Sequence, residues 1–322
     1  MPGYLIRRLA AAALLLWLVL TTTFVLLRLV PGDAATAISD LPIPKRQKEI
    51  LIHAYGLDRP LPEQYVRWLG AVALHGNLGI SYAQLRPVRT VVAEALPATL
   101  LLAAAALLIE YGVGTALGVA AARRSGSALD KAIRVATLLL YSQPLFWLGL
   151  MAILLFSGRL GWLPASHMLS VGADEMGRGA WLADLAKHLV LPAMTLGLAQ
   201  AGGAARFVRA GLLEVLSRDY IRTARAKGLS ERRVVWVHGM RAALVPIIQL
   251  LALSVPSLLS GALITEVVFA WPGLGRITYD AILARDSPVL LATTGVSAIL
   301  VVGSNLVADL LHAAADPRVR DA

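Results

Sequence analysis

The chain has 322 residues, of which 57% are hydrophobic and only 16% charged, and its formal net charge is +10. Soluble globular proteins carry about a quarter of charged residues, so this composition excludes an ordinary soluble domain and indicates an all-α integral membrane protein. A membrane barrel would show short alternating segments instead of long apolar runs. The absence of cysteine excludes disulfides, thiol catalysis and cysteine metal sites.

Six apolar runs are long enough to span a bilayer, which takes about 20 residues. The first follows Arg7 and Arg8 and is longer than a signal-peptide core, so we expect a retained helix. Pro144 predicts a kink in the third run, and Pro256 interrupts the fifth. The predicted spans are approximately Leu9–Leu27, Leu96–Ala122, Val135–Phe156, Leu189–Val208, Val245–Phe269 and Val289–Leu311.

These runs predict three parts of the chain. Residues 1–30 form an N-terminal transmembrane helix, residues 31–94 an extracytoplasmic cap segment, and residues 95–322 a core of five transmembrane helices with a long basic loop at 213–245. Within the cap we expect one helix from Lys45 to Tyr55, stopped by Gly56, and another opening at Pro62 and stopped by Gly76.

The distribution of positive charge predicts the orientation. The N-terminus, the loop after the second span, the stretch after the fourth span and the C-terminus together hold most of the Lys and Arg residues. The two short loops on the other side hold only Arg159, Arg178, Lys187, Arg276 and Arg285. Cytoplasmic loops carry the excess of positive charge, so both termini are expected on the cytoplasmic side of the membrane.

A basic, amphipathic stretch runs from Arg218 to Pro246 between the fourth and fifth spans. Gly228 divides it into two predicted helices, Tyr220–Lys227 and Glu231–Met240. Ser230 is expected to cap the second helix. The small residues Ala224, Ala226 and Gly228 are expected to let another protein surface come close. By charge alone, the stretch is equally compatible with a solvated cytoplasmic loop.

The order of residues in this stretch resembles the coupling loop of ABC-transporter permeases, in the version of the oligopeptide/dipeptide (peptide/nickel) family. Ala242 departs from the asparagine that this family often has. The matching residues are Asp219-Tyr220-Ile221-Arg222-Thr223-Ala224-Arg225-Ala226-Lys227-Gly228-Leu229 and His238-Gly239-Met240-Arg241-Ala242-Ala243-Leu244-Val245-Pro246.

Other motifs extend the resemblance over nearly the whole chain. They are Val30-Pro31-Gly32-Asp33, Gly56-Leu57-Asp58-Arg59-Pro60-Leu61, Leu78-Gly79-Ile80-Ser81, Trp271-Pro272-Gly273-Leu274-Gly275-Arg276 and Asp316-Pro317-Arg318-Val319-Arg320. The chain is therefore similar to the B-type permease subunit of that family, which implies six transmembrane helices with a cytoplasmic coupling helix, the type I ABC importer permease fold.

The resemblance also implies a function. The chain is expected to be the transmembrane pore subunit of an ATP-driven importer of di- or oligopeptides. Its implied partners are a second homologous permease, two ATPase subunits that bind ATP and Mg²⁺, and an extracytoplasmic substrate-binding protein. The ATPase-coupling residues implied by the motif are Arg222, Thr223, Ala224, Arg225, Ala226, Lys227, Gly228, Leu229, Ser230 and Arg233.

No catalytic set is evident in the chain. It has no Gly-x-x-x-x-Gly-Lys-Ser/Thr loop for ATP phosphates and no His-Glu-x-x-His helix for a metal. The chain is thus expected to be non-catalytic and to bind no cofactor. Polar residues at bilayer depth usually face a cavity or a partner, or they hydrogen-bond between helices. The candidates for the translocation path are Glu110, Gln143, Pro144, Gln249, Glu266 and Asn305.

Two alternatives remain open. Within the resembled family, the same scaffold carries nickel, opines or glutathione, and the sequence does not separate these solutes from peptides. A second alternative is an ion-coupled secondary transporter, in which Glu110 and Glu266 would relay protons. Internal repeats typical of such carriers are not evident, and the coupling motif would then have no role.

Overall fold

The structure is a computed structural model that describes residues 2–29, 44–54, 56, 58–240, 254 and 262–315. The described residues are almost entirely helical, and their one β-bridge joins Ile80 to Pro87. Twelve α-helices are numbered here in chain order. They are α1 (Pro2–Leu29), α2 (Lys45–Ala54), α3 (Leu61–His75), α4 (Val88–Arg123), α5 (Ala128–Ser142), α6 (Leu145–Ala152), α7 (Arg178–Leu216), α8 (Asp219–Ala226), α9 (Glu231–Arg233), α10 (262–268), α11 (Leu274–Leu283) and α12 (Ser287–Ala315).

Four described helices are long and apolar enough to cross a membrane, namely α1, α4, α7 and α12. A fifth span is formed if α5 and α6, with the π-helical turn Ile153–Arg159 that follows, are counted as one broken span. The fifth span expected from the sequence, Val245 to Phe269, lies mostly outside the described residues. Five of the six expected spans therefore have a counterpart among the described helices.

The predicted kink in the third span is confirmed. Pro144 lacks a backbone N–H and disfavours helical geometry in the residue before it. Gln143 accordingly adopts extended dihedral angles, α5 ends at Ser142, and α6 begins at Leu145. The two segments meet at an angle of 101°.

The fourth span is longer than predicted. The apolar run predicts a fourth span that begins near Leu189, but α7 begins at Arg178 and continues to Leu216. The prediction placed the helix boundary where the apolar run begins. His188 is instead buried on the helix and its Nδ1 lies 2.9 Å from the Asp184 carbonyl oxygen, one turn earlier.

The chain divides into two compact units. The first comprises residues 1–99 and 272–303, and the second comprises residues 100–271 and 304–322. In the first unit, Val88 and Val92 of α4 pack against Leu274, Ala281 and Val289. The Asp286 carboxylate also accepts hydrogen bonds from the Ser81 hydroxyl and the Ala83 backbone N–H, at 2.5 and 3.1 Å.

In the second unit, glycines allow long helices to pack closely. A Cβ added at Gly118 of α4 would lie 2.7 Å from the Ala205 carbonyl oxygen of α7. A Cβ at Gly197 would lie 2.7 Å from the Ala106 carbonyl oxygen. Small residues let transmembrane backbones approach in this way, so α4 and α7 form the tightly packed base from which the basic stretch emerges.

Candidate functional site

The first helix of the basic stretch is α8. Its observed limits, Asp219 and Ala226, differ by one residue at each end from the prediction. The helix stops because Gly228 has a φ of +77°, which side chains other than glycine rarely adopt. The Gly228 N–H donates to the Arg225 carbonyl oxygen at 2.9 Å. The predicted break at Gly228 is confirmed.

The second helical segment begins with the single turn α9 and continues as a π-helix from Val234 to Gly239. Its extent agrees with the predicted helix Glu231–Met240. The capping prediction is wrong, because the Ser230 side chain makes no capping hydrogen bond. The backbone carbonyl of Ser230 instead accepts from the Val234 N–H at 3.0 Å.

The two helical segments pack together as a hairpin, called the basic hairpin below, which comprises residues 218–240. Apolar contacts bury one of its faces. Ile221 and Val234 are completely buried, and Ala224 packs with them. The expectation that Ala224 offers a small surface to another protein is therefore wrong in this structure. Ala224 faces inward because the apolar residues of α8 recur at the helical spacing of three residues. Ala226 and Gly228, by contrast, are exposed.

The hairpin is attached to the long helices of the second unit by a second apolar cluster. Val235 and Met240 pack against Val119 of α4 and against Val208 and Leu212 of α7. A Cβ on Gly239 would approach the Leu212 Cδ1 atom to 2.9 Å, so the backbone lies directly on α7. A displacement of the hairpin is therefore passed to α4 and α7 through packed side chains.

The opposite face of the hairpin is exposed and strongly basic. Three carboxylates partly neutralise it, and one of them, Glu214 on α7, lies 2.5 Å from Arg218. The Glu231 carboxylate accepts from Arg225 Nε at 2.6 Å, so this pair links the two helical segments across Gly228. Asp219 lies 3.4 Å from Arg222. The exposed cations of the hairpin are Arg218, Arg222, Arg225, Lys227, Arg232 and Arg233.

Of the polar residues predicted for the translocation path, Glu110 is the one whose hydrogen-bonded neighbours the structure describes. It is buried in α4, and its Oε1 atom accepts a hydrogen bond from the Ser254 hydroxyl at 3.0 Å. The Tyr111 hydroxyl lies 2.7 Å from the same Ser254 oxygen. The Glu110 Oε2 atom is buried and has no hydrogen-bond partner among the described residues. The structure thus places Tyr111 and Ser254 beside Glu110, and the sequence pattern had singled out neither.

The other candidates do not form one group. Gln143 and Pro144 are exposed at the break between α5 and α6. Glu266 is fully buried in α10, and Asn305 is exposed on α12. Gln249 lies outside the described residues, as does Pro256. Burial within one chain does not distinguish a pore-lining residue from a packed one, so the translocation path stays a prediction.

An ion pair that the sequence pattern did not indicate lies at the basic end of α5. Asp130 is buried, although it belongs to a short charged loop of the sequence. Two nitrogens of Arg209 donate to its carboxylate at 2.8 and 2.7 Å. The Gly126 N–H donates to the same group at 2.9 Å. The pair thus joins α5 to the part of α7 that leads into the basic hairpin.

No metal centre is apparent in the described ranges, where no group of three or more His, Asp or Glu side chains is close enough to hold an ion. The basic hairpin combines an exposed basic face with an apolar attachment to two long helices.

Comparisons with known proteins agree with this description. The family model described as "Binding-protein-dependent transport system inner membrane component" matches residues 114–321. The corresponding N-terminal model matches residues 1–103. Together the two models match nearly the whole chain, including the basic hairpin.

Two curated relatives are similar over their full length. The chain is 38% identical over 320 residues to the oligopeptide transport system permease protein AppB of Bacillus subtilis. It is 40% identical over 337 residues to the di/tripeptide transport system permease protein DppB of Pseudomonas aeruginosa. Each alignment covers 99% of this chain and 99% of the relative.

The fold is also similar to a solved structure of the MetNI methionine ABC transporter in an inward-facing conformation. The TM-score is 0.57 at 18% identity, and the match covers 71% of this chain and 97% of that chain. At this identity the likeness concerns the fold alone. The predicted fold class, an all-α membrane protein of the type I ABC importer permease kind, is confirmed.

Proposed function

This chain belongs to the family of binding-protein-dependent transport system inner membrane components, so it is the permease subunit of an ABC importer, and we propose that it carries di- or oligopeptides. The observation that supports peptides is the similarity, over 99% of both chains, to permeases named for oligopeptide and for di/tripeptide transport. The chain is then a non-catalytic pore subunit that binds no cofactor itself.

The basic hairpin, residues 218–240, is the proposed contact with an ATPase subunit. Its exposed cations suit an acidic groove, and Ala226 and Gly228 leave the backbone accessible between them. Lys227 precedes the break at Gly228 and Arg233 follows it, and both are exposed. Arg225 already pairs with Glu231, so it stabilises the hairpin from within. Arg222, Thr223, Leu229 and Ser230 complete the coupling set expected from the sequence, and the buried Ala224 contributes to it only by packing with Ile221 and Val234.

The apolar attachment of the hairpin explains how ATPase motion reaches the pore. Val235 and Gly239 lie against Leu212, and Leu212 packs with Val119 of α4. Closely packed helices contain little free volume between them, so a displacement of one helix moves its neighbours with it. A movement of the ATPase is thus expected to move α4 and α7 together and to shift the equilibrium between inward-open and outward-open states.

The remaining parts of the proposal concern the assembly. A second, related permease completes the pore, two ATPase subunits bind ATP and Mg²⁺ on the cytoplasmic side, and an extracytoplasmic binding protein delivers the peptide. Both termini and the hairpin lie in the cytoplasm, as the Lys and Arg distribution predicts. The support for this orientation is the basic hairpin itself, which must face the ATPase.

Uptake of a labelled dipeptide and a labelled tripeptide, in cells with and without this chain, tests the function. Loss of both on deletion is the expected result, with ⁶³Ni²⁺ uptake measured in parallel. Loss of nickel uptake alone would overturn the peptide proposal and leave the importer architecture. Peptide uptake that survives ATP depletion but collapses with an uncoupler would instead indicate an ion-coupled carrier.

A further inference from the structure

The first unit contains a cavity to which the proposed function assigns no role. It has a volume of about 630 Å³ and is bordered by α1, α3, the turn after α3 and the start of α12. Cavities of this size accommodate small organic ligands. Its apolar walls include Trp68, Ala71, Leu74, Leu78 and Leu291. Arg28, Arg67 and His75 add positive or protonatable groups.

Contacts between α1 and α3 set the depth of this cavity in the membrane. The Tyr65 hydroxyl of α3 lies 2.7 Å from Thr21 Oγ1 of α1, and the Trp68 ring stacks on Phe24 at 5.2 Å. Thr21 is eight residues before the end of α1, which corresponds to about 12 Å along a helix. These contacts place α3 beside the last turns of α1, and since α1 is a candidate membrane span, α3 is expected at the boundary between acyl chains and headgroups.

The exposed surface of α3 agrees with this depth. Val66 and Leu74 are 67% and 80% exposed and both border the cavity. An amphipathic helix buries such residues among acyl chains when it lies in the membrane interface. The mouth of the cavity is therefore apolar on the side that faces lipid.

The charged groups at the cavity favour an anion. Among the described residues that line the cavity, Arg28, Arg67 and His75 are basic and none is acidic, and the Arg67 guanidinium lies 3.1 Å from the Glu63 carboxylate outside the lining. Arg28 lies at the end of α1, with its guanidinium carbon 5.2 Å from the centre of the Phe24 ring. Arginines at this depth attract phosphate headgroups.

We propose that this cavity binds an anionic phospholipid from the leaflet at which α1 ends, with the phosphate beside Arg28 and Arg67 and an acyl chain along Leu74 and Leu291. The bound lipid stabilises the packing of the interfacial helix α3 against α1. The inference requires the membrane placement of α1 and does not depend on which solute the importer carries.

Photolabelling of the assembled transporter tests the proposal. The complex is reconstituted in phosphatidylcholine vesicles with a trace of phosphatidylglycerol that carries a diazirine in one acyl chain, and labelled peptides are mapped by mass spectrometry. The expected label lies between residues 66 and 78. The double variant Arg28→Gln/Arg67→Gln should lower it by about tenfold or more, because each nearby arginine favours anionic lipid.

A second variant and a control keep the test independent of folding. Ala71→Trp fills the cavity without removing charge and should also abolish the label. Arg46→Gln removes an exposed cation from α2 that does not border the cavity, and the label should be unchanged. Each variant is compared at equal recovery of the assembled complex.

Three results would overturn the proposal. The first is labelling between residues 66 and 78 that persists in both cavity variants. The second is equal labelling by a diazirine probe with a phosphatidylcholine headgroup, which would remove the role of the arginines. The third is displacement of the label by excess dipeptide or by the binding protein, which would assign the cavity to one of those partners.

Discussion

Two guanidinium nitrogens of Arg209, on α7, donate hydrogen bonds to the buried carboxylate of Asp130 at 2.8 and 2.7 Å, although the two residues are 79 positions apart in the sequence. Removing one member of a buried ion pair leaves an uncompensated charge, which costs more stability than removing both. We therefore expect Asp130→Ala to lower the apparent Tm of the purified complex, and Asp130→Ala/Arg209→Leu to recover part of that loss. Additive losses in the double variant would show that the two residues do not act as a pair.

Gly228→Asp is expected to abolish peptide uptake, with the subunit still present in the membrane. No atom of the described residues lies within 4 Å of a Cβ at Gly228, so a side chain there would not clash with the described part of this chain and would obstruct a partner docked on the hairpin. The left-handed conformation adds a backbone cost of about 1–2 kcal/mol. Uptake of labelled dipeptide and the amount of subunit in membrane fractions are measured together.

Gly172→Asp is the matched control for that variant. Gly172 has a φ of +82° and equally open surroundings, but it lies in the loop before α7. It carries the same backbone cost and should retain uptake. Normal ATP-dependent uptake by Gly228→Asp would refute the coupling assignment of the hairpin.

Exchanging the charges of Arg225 and Glu231 tests whether this pair acts by stabilising the hairpin or whether Arg225 contacts the ATPase directly. Arg225→Glu should reduce uptake strongly, because it places two carboxylates together across the break at Gly228. The double variant Arg225→Glu/Glu231→Arg restores the pair and should regain at least half of the uptake. Exposed pairs contribute only about 0–1 kcal/mol to stability, so membrane levels should change little. A double variant as inactive as the single one would mean that the ATPase contacts Arg225 directly.

Alanine substitutions at two glycines of α4 should change the stability of the protein in opposite directions. At Gly118 a Cβ would meet the Ala205 carbonyl oxygen at 2.7 Å, so Gly118→Ala must push α4 away from α7. Such overpacking costs about 1–3 kcal/mol. Gly112 is open, and Gly112→Ala should stabilise the helix by about 0.5–1 kcal/mol.

Thermal unfolding of the assembled transporter checks both variants. The expected result is a lower Tm for Gly118→Ala and an unchanged or higher Tm for Gly112→Ala. Equal behaviour of the two would contradict the close packing of α4 on α7.

Local patterns in the chain predicted its helices well. Apolar runs located the spans, Pro144 located the break between α5 and α6, and Gly228 located the break in the basic hairpin. Each of these features depends on backbone chemistry within a few residues, namely a missing N–H or a permitted positive φ. The same kind of reasoning failed for Ser230, because a favourable residue type does not ensure that its side chain turns toward the helix.

The sequence by itself determined that this protein is a helical membrane permease with a two-part basic hairpin between two spans, since length, hydropathy and residue order are local properties. Tertiary structure alone decided that Ala224 faces inward, that Asp130 meets Arg209, and that Tyr111 and Ser254 surround Glu110. It also decided where the cavity beside α1 lies. The physical reason is that these contacts join residues far apart in the chain, and helical periodicity fixes which face a residue occupies without fixing which helix that face meets.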